Sequence, residues 1–231
     1  MISVGRVGEI EFTCTERRKE RVMLTLHDYQ PSLNGWKIRV LLGLLAVPYR
    51  SREIALFQGQ SRTEEFLRLN PMGAVPVLEL EDGRALAESS AILIYLAQGT
   101  KFLPAERFAR AKVVQWLSFE QYYIEPTVGS LRFWTLTGRL AANTGRMVES
   151  RRENGERALS ALERILTDEP FLVSQGLTIA DIAVYAYTHR AEEGGFSFSS
   201  RPALSAWMKR VRTEIGNDYP VPPYTADAML G

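Results

Sequence analysis

Three short stretches of this chain hold groups that a small charged peptide could use. Val75-Pro76 opens the apolar run Val77-Leu78. A proline there cannot donate to a central ladder, so an edge, a turn or a cis bond must accommodate it. A cis bond would turn the Val75 amide and carbonyl outward, where an extended peptide can pair with them as an added strand. Further on, Glu88-Ser89-Ser90-Ala91-Ile92 starts a helix. Its first turn offers unpaired N–H groups and the Ser89 hydroxyl to a carboxylate. Together these stretches suggest a site for a short peptide with a free carboxylate at one end. The third stretch, Pro31-Ser32-Leu33-Asn34-Gly35-Trp36-Lys37, sets a hydroxyl and an amide just ahead of another helix. Serine and asparagine also cap helices and fill turns, so both readings stay open on residue type alone.

The elements that must position these groups follow from periodicity and punctuation. Leu24 and Leu26 alternate with Thr25 and His27 as a half-buried strand. Ile38, Leu41, Leu42 and Leu45 mark a helix stopped by Pro48, and Tyr49 to Ile54 reads as a further strand. Thr63-Glu64-Glu65-Phe66 starts a helix that Asn70-Pro71 ends. Val77–Leu80 and Arg84–Ala87 flank an Asp82-Gly83 hairpin, and a helix from Ser89 to Gln98 stops at Gly99. The order βαβαββα matches the thioredoxin-like fold. The remainder reads as helix. One face carries Ala158, Leu159, Leu162, Ile165 and Leu166, and another carries Leu204, Trp207, Met208 and Val211. Thr178 and Asp181 have capping-box spacing, with Leu177 and Ile182 placed as a staple. Pro220-Val221-Pro222-Pro223 reads as an extended tail.

Composition narrows the function classes. A net charge of +1 favours neither nucleic acid nor an acidic membrane surface. The single cysteine, Cys14, rules out an internal disulfide or a Cys-x-x-Cys site, which fits a reducing cytoplasm. His27 and His189 are too few for a histidine-rich metal site and read as strand and helix residues. No apolar run approaches a membrane span. The basic run Arg17-Arg18-Lys19-Glu20-Arg21 reads as a solvated tail or an upstream start before Met23.

The ordered set Asn70-Pro71-x-Gly73-x-Val75-Pro76-Val77-Leu78, Asp82-Gly83 and Glu88-Ser89-x-Ala91-Ile92 resembles the glutathione transferase family. The resemblance runs from about Met23 to about Val211. In that family the proline is cis and the Glu-Ser pair holds the γ-glutamyl end of glutathione. It therefore implies glutathione as co-substrate, no metal, and binding through Val75, Pro76, Glu88 and Ser89. Gln58 and Arg62 lie in the loop that usually meets the glycyl end. In serine-type classes a serine at this place donates to the glutathione sulfur, a role that falls to Ser32. The pattern hydroxyl-x-Asn-Gly-x-Lys resembles the bacterial nu class and makes Asn34 a second donor. Tyr29 reads as packing. The second substrate should lie over the sulfur against the first long helix, where Trp116, Phe119, Tyr122 and Tyr123 precede Glu125-Pro126. Phe119 and Tyr122 are the expected pocket residues, and Pro126 should kink the helix.

The chemistry that the resemblance implies is thiol activation. A free thiol with a pKa of about 8.5 is only slightly ionised near neutrality, so donors aimed at sulfur raise the reactive fraction. The expected activity is conjugation of glutathione to a small electrophile. Glutathione-dependent disulfide reduction is the near alternative, and a non-catalytic interaction module with the same fold is the third. The resemblance also implies a homodimer, acting on a small-molecule electrophile or a disulfide, with no nucleic-acid or membrane partner. The expected organisation is an extension over 1–22 and a thioredoxin-like domain over 23–100. A linker over 101–107, an all-helical domain over 108–215 and a tail over 216–231 complete it.

Overall fold

The computed structural model describes residues 23–173, 176–216 and 218–229, so Cys14 and the Arg17–Arg21 run lie outside the described residues. Strand β1 spans Leu24–Asp28, β2 Tyr49–Glu53, β3 Val77–Glu79 and β4 Ala85–Ala87. They form one sheet in the order β2-β1-β3-β4. β1 runs parallel to β2, with Leu26 opposite Ser51, and antiparallel to β3, with Leu26 opposite Leu78. A parallel pair needs a crossover. Helix α1, Leu33–Leu44, supplies it. Helix α2 spans Glu64–Leu69, and Thr63 caps it by accepting from the Phe66 N–H at 3.3 Å. Helix α3, Ser89–Ala97, completes the thioredoxin-like βαβαββα order.

All later regular structure among the described residues is helical. Helix α4, Arg107–Phe119, is capped by the Glu106 carboxylate, which accepts from the N–H groups of Phe108 and Ala109 at 2.8 and 2.7 Å. The helical path continues through a π-helical stretch, Glu120–Gly129, into α5, Ser130–Leu136. Pro126 sits inside that stretch. Its missing N–H is absorbed by the wider winding, while the Thr127 hydroxyl donates to the Tyr123 carbonyl and Arg151 to the Pro126 carbonyl. Helices α6 (Gly145–Leu166), α7 (Ile179–Thr188) and α8 (Pro202–Ile215) follow. The expected capping box opens α7. The Thr178 N–H and hydroxyl donate to Asp181 Oδ2 at 3.0 and 2.9 Å, and Trp207 Nε1 donates to Oδ1 at 3.0 Å.

One cluster of buried apolar side chains runs through both halves, joining Leu26, Leu41 and Leu78 to Val113, Ile124, Ile182 and Trp207. Ile54, Phe66 and Val77 form a small second cluster. On α6 the buried stripe is Gly155, Ala158, Leu159, Leu162 and Leu166. Ile165, expected on that face, is 40% exposed, because the helical stagger carries it to the margin of the stripe. Met208 is half-buried against the core. Residues 218–225 carry no helix or strand, and the tail is tied down. Trp36 Nε1 donates to the Tyr219 carbonyl at 2.8 Å, and Arg139 donates to the Ala228 carbonyl.

His189 is half-buried at the C-cap of α7, parallel to Tyr185 at 4.5 Å between ring centroids and 5.3 Å from Trp36. Burial lowers its pKa from 6.5 to about 4. The neutral ring therefore contributes on the order of 3 kcal/mol above pH 6.5, a contribution lost as pH falls toward the folded value. Asp28 acts in the opposite sense. Its burial raises its pKa from 3.8 to about 6, so acidification through that interval favours the fold. His189→Gln should therefore flatten or reverse the acid-side fall in unfolding free energy between pH 6.5 and 4, measured by urea titration. An unchanged slope would refute the assignment.

Candidate active site

Ser32 ends the loop after β1 in extended conformation (φ −69°, ψ 125°), and its hydroxyl oxygen accepts from the Gly35 N–H at 3.4 Å. The helix-cap reading is therefore correct as far as it goes. A hydroxyl that accepts at the cap still has its own proton to give. Gly35 is required here: a Cβ would stand 1.7 Å from the Asp28 carboxylate packed beneath this turn. Burial raises the Asp28 pKa against the pull of Arg39, its ion-pair partner, whose Nη2 also donates to the Gln30 carbonyl at 2.8 Å. This contact fixes the loop that carries Ser32 to the sheet.

Asn34, in the first turn of α1, is held from three sides. Its Oδ1 accepts from Lys37 Nζ at 2.7 Å and from the Ser89 hydroxyl at 3.2 Å, while Nδ2 donates to Glu125 Oε1 at 2.9 Å. An ammonium can only donate and a carboxylate can only accept, so these partners fix which end of the amide faces which way. Lys37 and Glu120, both fully buried, pair at 2.8 Å. Burial raises the Glu120 pKa against the pull of Lys37. Gln121 Nε2 bridges the two carboxylates, donating to Glu120 Oε2 at 3.0 Å and to Glu125 Oε2 at 2.8 Å. Tyr187 is hydrogen-bonded to Glu125, and burial pushes its pKa well up, so its hydroxyl keeps its proton.

A cleft of about 560 Å³ opens beside these groups, lined by Ser32, Asn34, Val75, Glu125, Tyr187 and aromatic walls. The Val75–Pro76 bond is cis. Glu88, at the head of α3, has φ 66°, a left-handed conformation costly for a non-glycine residue, and is exposed. Ser89 is buried behind it, against Asn34. The structure thus brings Ser32, Asn34 and Val75 to one cleft, with Pro76 buried behind Val75. Gln58 is exposed and hydrogen-bonded to Asp227 in the tail, whereas Arg62 does line the cleft. Phe119 and Tyr122 are not brought to the cleft. Tyr122 is 75% exposed in a groove with Arg146 and Met147, and Phe119 faces a depression along α6. The aromatic walls are instead Phe57, Phe133, Tyr187 and Tyr224, with Tyr29 at their base. The Tyr29 hydroxyl is engaged by Thr225 at 2.7 Å, which agrees with a packing role.

Comparison with known proteins bears on this arrangement. The glutathione S-transferase N-terminal domain model matches residues 31–98, and the C-terminal domain model matches residues 130–214. The chain belongs to the glutathione S-transferase family. It is a transferase enzyme. It is 34% identical to mouse glutathione S-transferase theta-2 over 179 residues, covering 74% of this chain and 72% of that one. It is 28% identical to the Escherichia coli disulfide-bond oxidoreductase YfcG over 209 residues, covering 87% and 93%. A solved glutathione S-transferase from Pseudomonas fluorescens superposes with a TM-score of 0.81 at 42% identity, covering 87% of this chain and 98% of that one.

Sequence reasoning about this transferase missed Glu125, Glu120, Lys37 and the walls Phe57, Phe133 and Tyr224. A carboxylate beside a proline inside an aromatic helix, Glu125-Pro126, was the available signal. Lys37→Met should cost about 3–5 kcal/mol, since it strands Glu120 without a partner. The double variant Lys37→Met/Glu120→Leu should recover much of that loss in urea unfolding. Equal losses in both would show that the pair is not the source.

Proposed function

We propose that this transferase binds glutathione in the cleft, ionises its thiol at Ser32 and Asn34, and adds it to a small electrophile. The observation that carries this is the pair of unspent donors on one wall. The Ser32 hydroxyl accepts at the cap and keeps its proton, and Asn34 uses one of its two N–H groups on Glu125. Both head α1, whose N-terminus favours an anion. The extended peptide lies along Val75, beside cis Pro76, with its γ-glutamyl carboxylate at the Glu88–Ser89 turn. Residues 23–100 form the glutathione-binding domain. Arg62 replaces Gln58 at the glycyl end, because it lines the cleft while Gln58 faces the tail.

The second substrate packs on the wall formed by Phe57, Phe133 and Tyr224, whose rings contact one another at 6.2 and 5.3 Å between centroids, not against Phe119 and Tyr122. Glutathione-dependent disulfide reduction is the second reading, favoured by the similarity to YfcG over most of both chains. A second glutathione can resolve the mixed disulfide, so no protein cysteine is needed. Parallel assays with a chloronitrobenzene and with hydroxyethyl disulfide separate the two chemistries.

Ser32→Ala and Asn34→Ala should each shift the pH–rate profile to higher pH and lower the rate roughly ten- to a hundredfold. Glutathione affinity should change little, and the double variant should be worse than either single one. A lower melting temperature with an unchanged pH profile would reduce both residues to helix caps. Ser89→Ala should instead weaken glutathione binding by about 1–3 kcal/mol in calorimetry. We also expect a homodimer, the commonest closed assembly, which sedimentation at micromolar concentration checks.

A further inference from the structure

We propose that Lys37 is a positioning residue that acts through Asn34. Bonded to the oxygen end of that amide, its charge makes the free N–H at the other end a stronger donor to the glutathione sulfur. This rests on the placement of the sulfur at Ser32 and Asn34. Lys37 lies one turn after Asn34 on α1, which sets the two side chains on one face. It is fully buried, so it meets no substrate itself and its charge is little screened. Nζ donates to Asn34 Oδ1 at 2.7 Å, pairs with Glu120 Oε2 at 2.8 Å and stands 5.1 Å over the Tyr187 ring.

An amide transmits charge from one end to the other. A cation at the oxygen draws electron density off the nitrogen, and hydrogen bonds in such a chain strengthen one another in a low-dielectric interior. The Asn34 oxygen is fully used, by Lys37 and by the Ser89 hydroxyl at 3.2 Å. Of its two N–H groups one is spent on Glu125 Oε1 at 2.9 Å, and the other is unspent on the wall of the cleft. The charged and titratable groups around the ammonium are Glu120 and Glu125 from the π-helical stretch, which Gln121 links, and Tyr187 from α7. From α3 comes the uncharged Ser89. Both carboxylates disfavour a thiolate nearby, and Lys37 supplies the opposing charge at the point of contact. The ionisation itself is ordinary: the S–H bond breaks, the proton leaves to solvent and the electron pair stays on sulfur.

The test reads the pKa of the bound thiol, from ultraviolet thiolate absorbance across pH on the intact enzyme saturated with glutathione. Lys37→Met/Glu120→Leu removes cation and carboxylate together, so a change in net charge is not the cause of any shift. The thiol pKa should rise by about one unit, roughly tenfold less thiolate on the acid side. In an Asn34→Ala background the same two changes should move it less than half as far. An unchanged thiol pKa in the folded paired variant reduces Lys37 to a structural partner of Glu120. That result overturns the proposal and leaves the Ser32–Asn34 site standing. An equal rise without Asn34 overturns it too, since the charge would then act directly and not through the amide. Absence of thiolate absorbance in the wild type overturns the site as well. If the paired variant does not fold, Lys37→Gln decides, because it keeps N–H donors without the charge. The same rise supports the relay, and no rise overturns it.

Discussion

Helix α1 is buried on every side yet carries two cations, and the molecule is arranged around neutralising them. Its buried residues include Trp36, Ile38, Val40, Leu41 and Leu42 together with Lys37 and Arg39. A charge taken out of water costs several kcal/mol unless a partner and further hydrogen bonds replace the lost hydration. Arg39 finds that partner toward the sheet, in Asp28 at the end of β1, and Lys37 finds it toward the helical half, in Glu120. The helix is therefore pinned from both sides at its first two turns. The loop that heads it, with Ser32 and Asn34, cannot shift without breaking one of the pairs.

The cleft lies at this seam for the same reason. Each of its walls belongs to a different part of the chain: Phe57 to the turn after β2, Phe133 to α5 and Tyr224 to the tail. Arg139 holds them together, its guanidinium 5.8 Å over Phe57 and 5.2 Å over Phe133 while it donates to the Ala228 carbonyl. Arg132 secures Tyr224, donating to its hydroxyl at 3.0 Å. Arg139 thus serves aromatic faces and a carbonyl, while Arg132 is also paired with Glu193 at 2.5 Å, which shapes an apolar slot beside a polar one. Gly129 makes room at the boundary, since a Cβ there would stand 2.7 Å from the Tyr187 ring.

The thioredoxin-like half was legible because its signals are local. Alternation at Leu24 and Leu26, the Asp82-Gly83 turn and the Thr63 cap each act within a few residues, and the elements formed where they pointed. The loop with Ser32 and Asn34 was readable on the same grounds. What surrounds it was not. Asn34 meets Glu125 across 91 residues, and Tyr29 meets Thr225 across 196, so no local pattern encodes either contact. Phe119 and Tyr122 failed as wall residues for a geometric reason. The chain changes from α to π winding at Glu120, which alters the turn angle and carries Glu125 and Gly129, not Tyr122, toward α1.

The opposition between a capping and a chemical role for Ser32 dissolves once lone pairs and protons are counted separately. Capping uses an oxygen lone pair, and the Gly35 N–H takes it. Holding a thiolate uses the hydroxyl proton, which the cap does not touch. The cap even favours the second task, because fixing the oxygen removes rotamer freedom that would otherwise be lost on binding. Asn34 shows the same economy. Lys37 and Ser89 take its oxygen and Glu125 one N–H, leaving a second N–H in an amide that cannot flip. In the role proposed for them, each donor is preorganised by contacts that serve the fold, so the stability of α1 and the proposed thiolate contacts draw on the same hydrogen bonds.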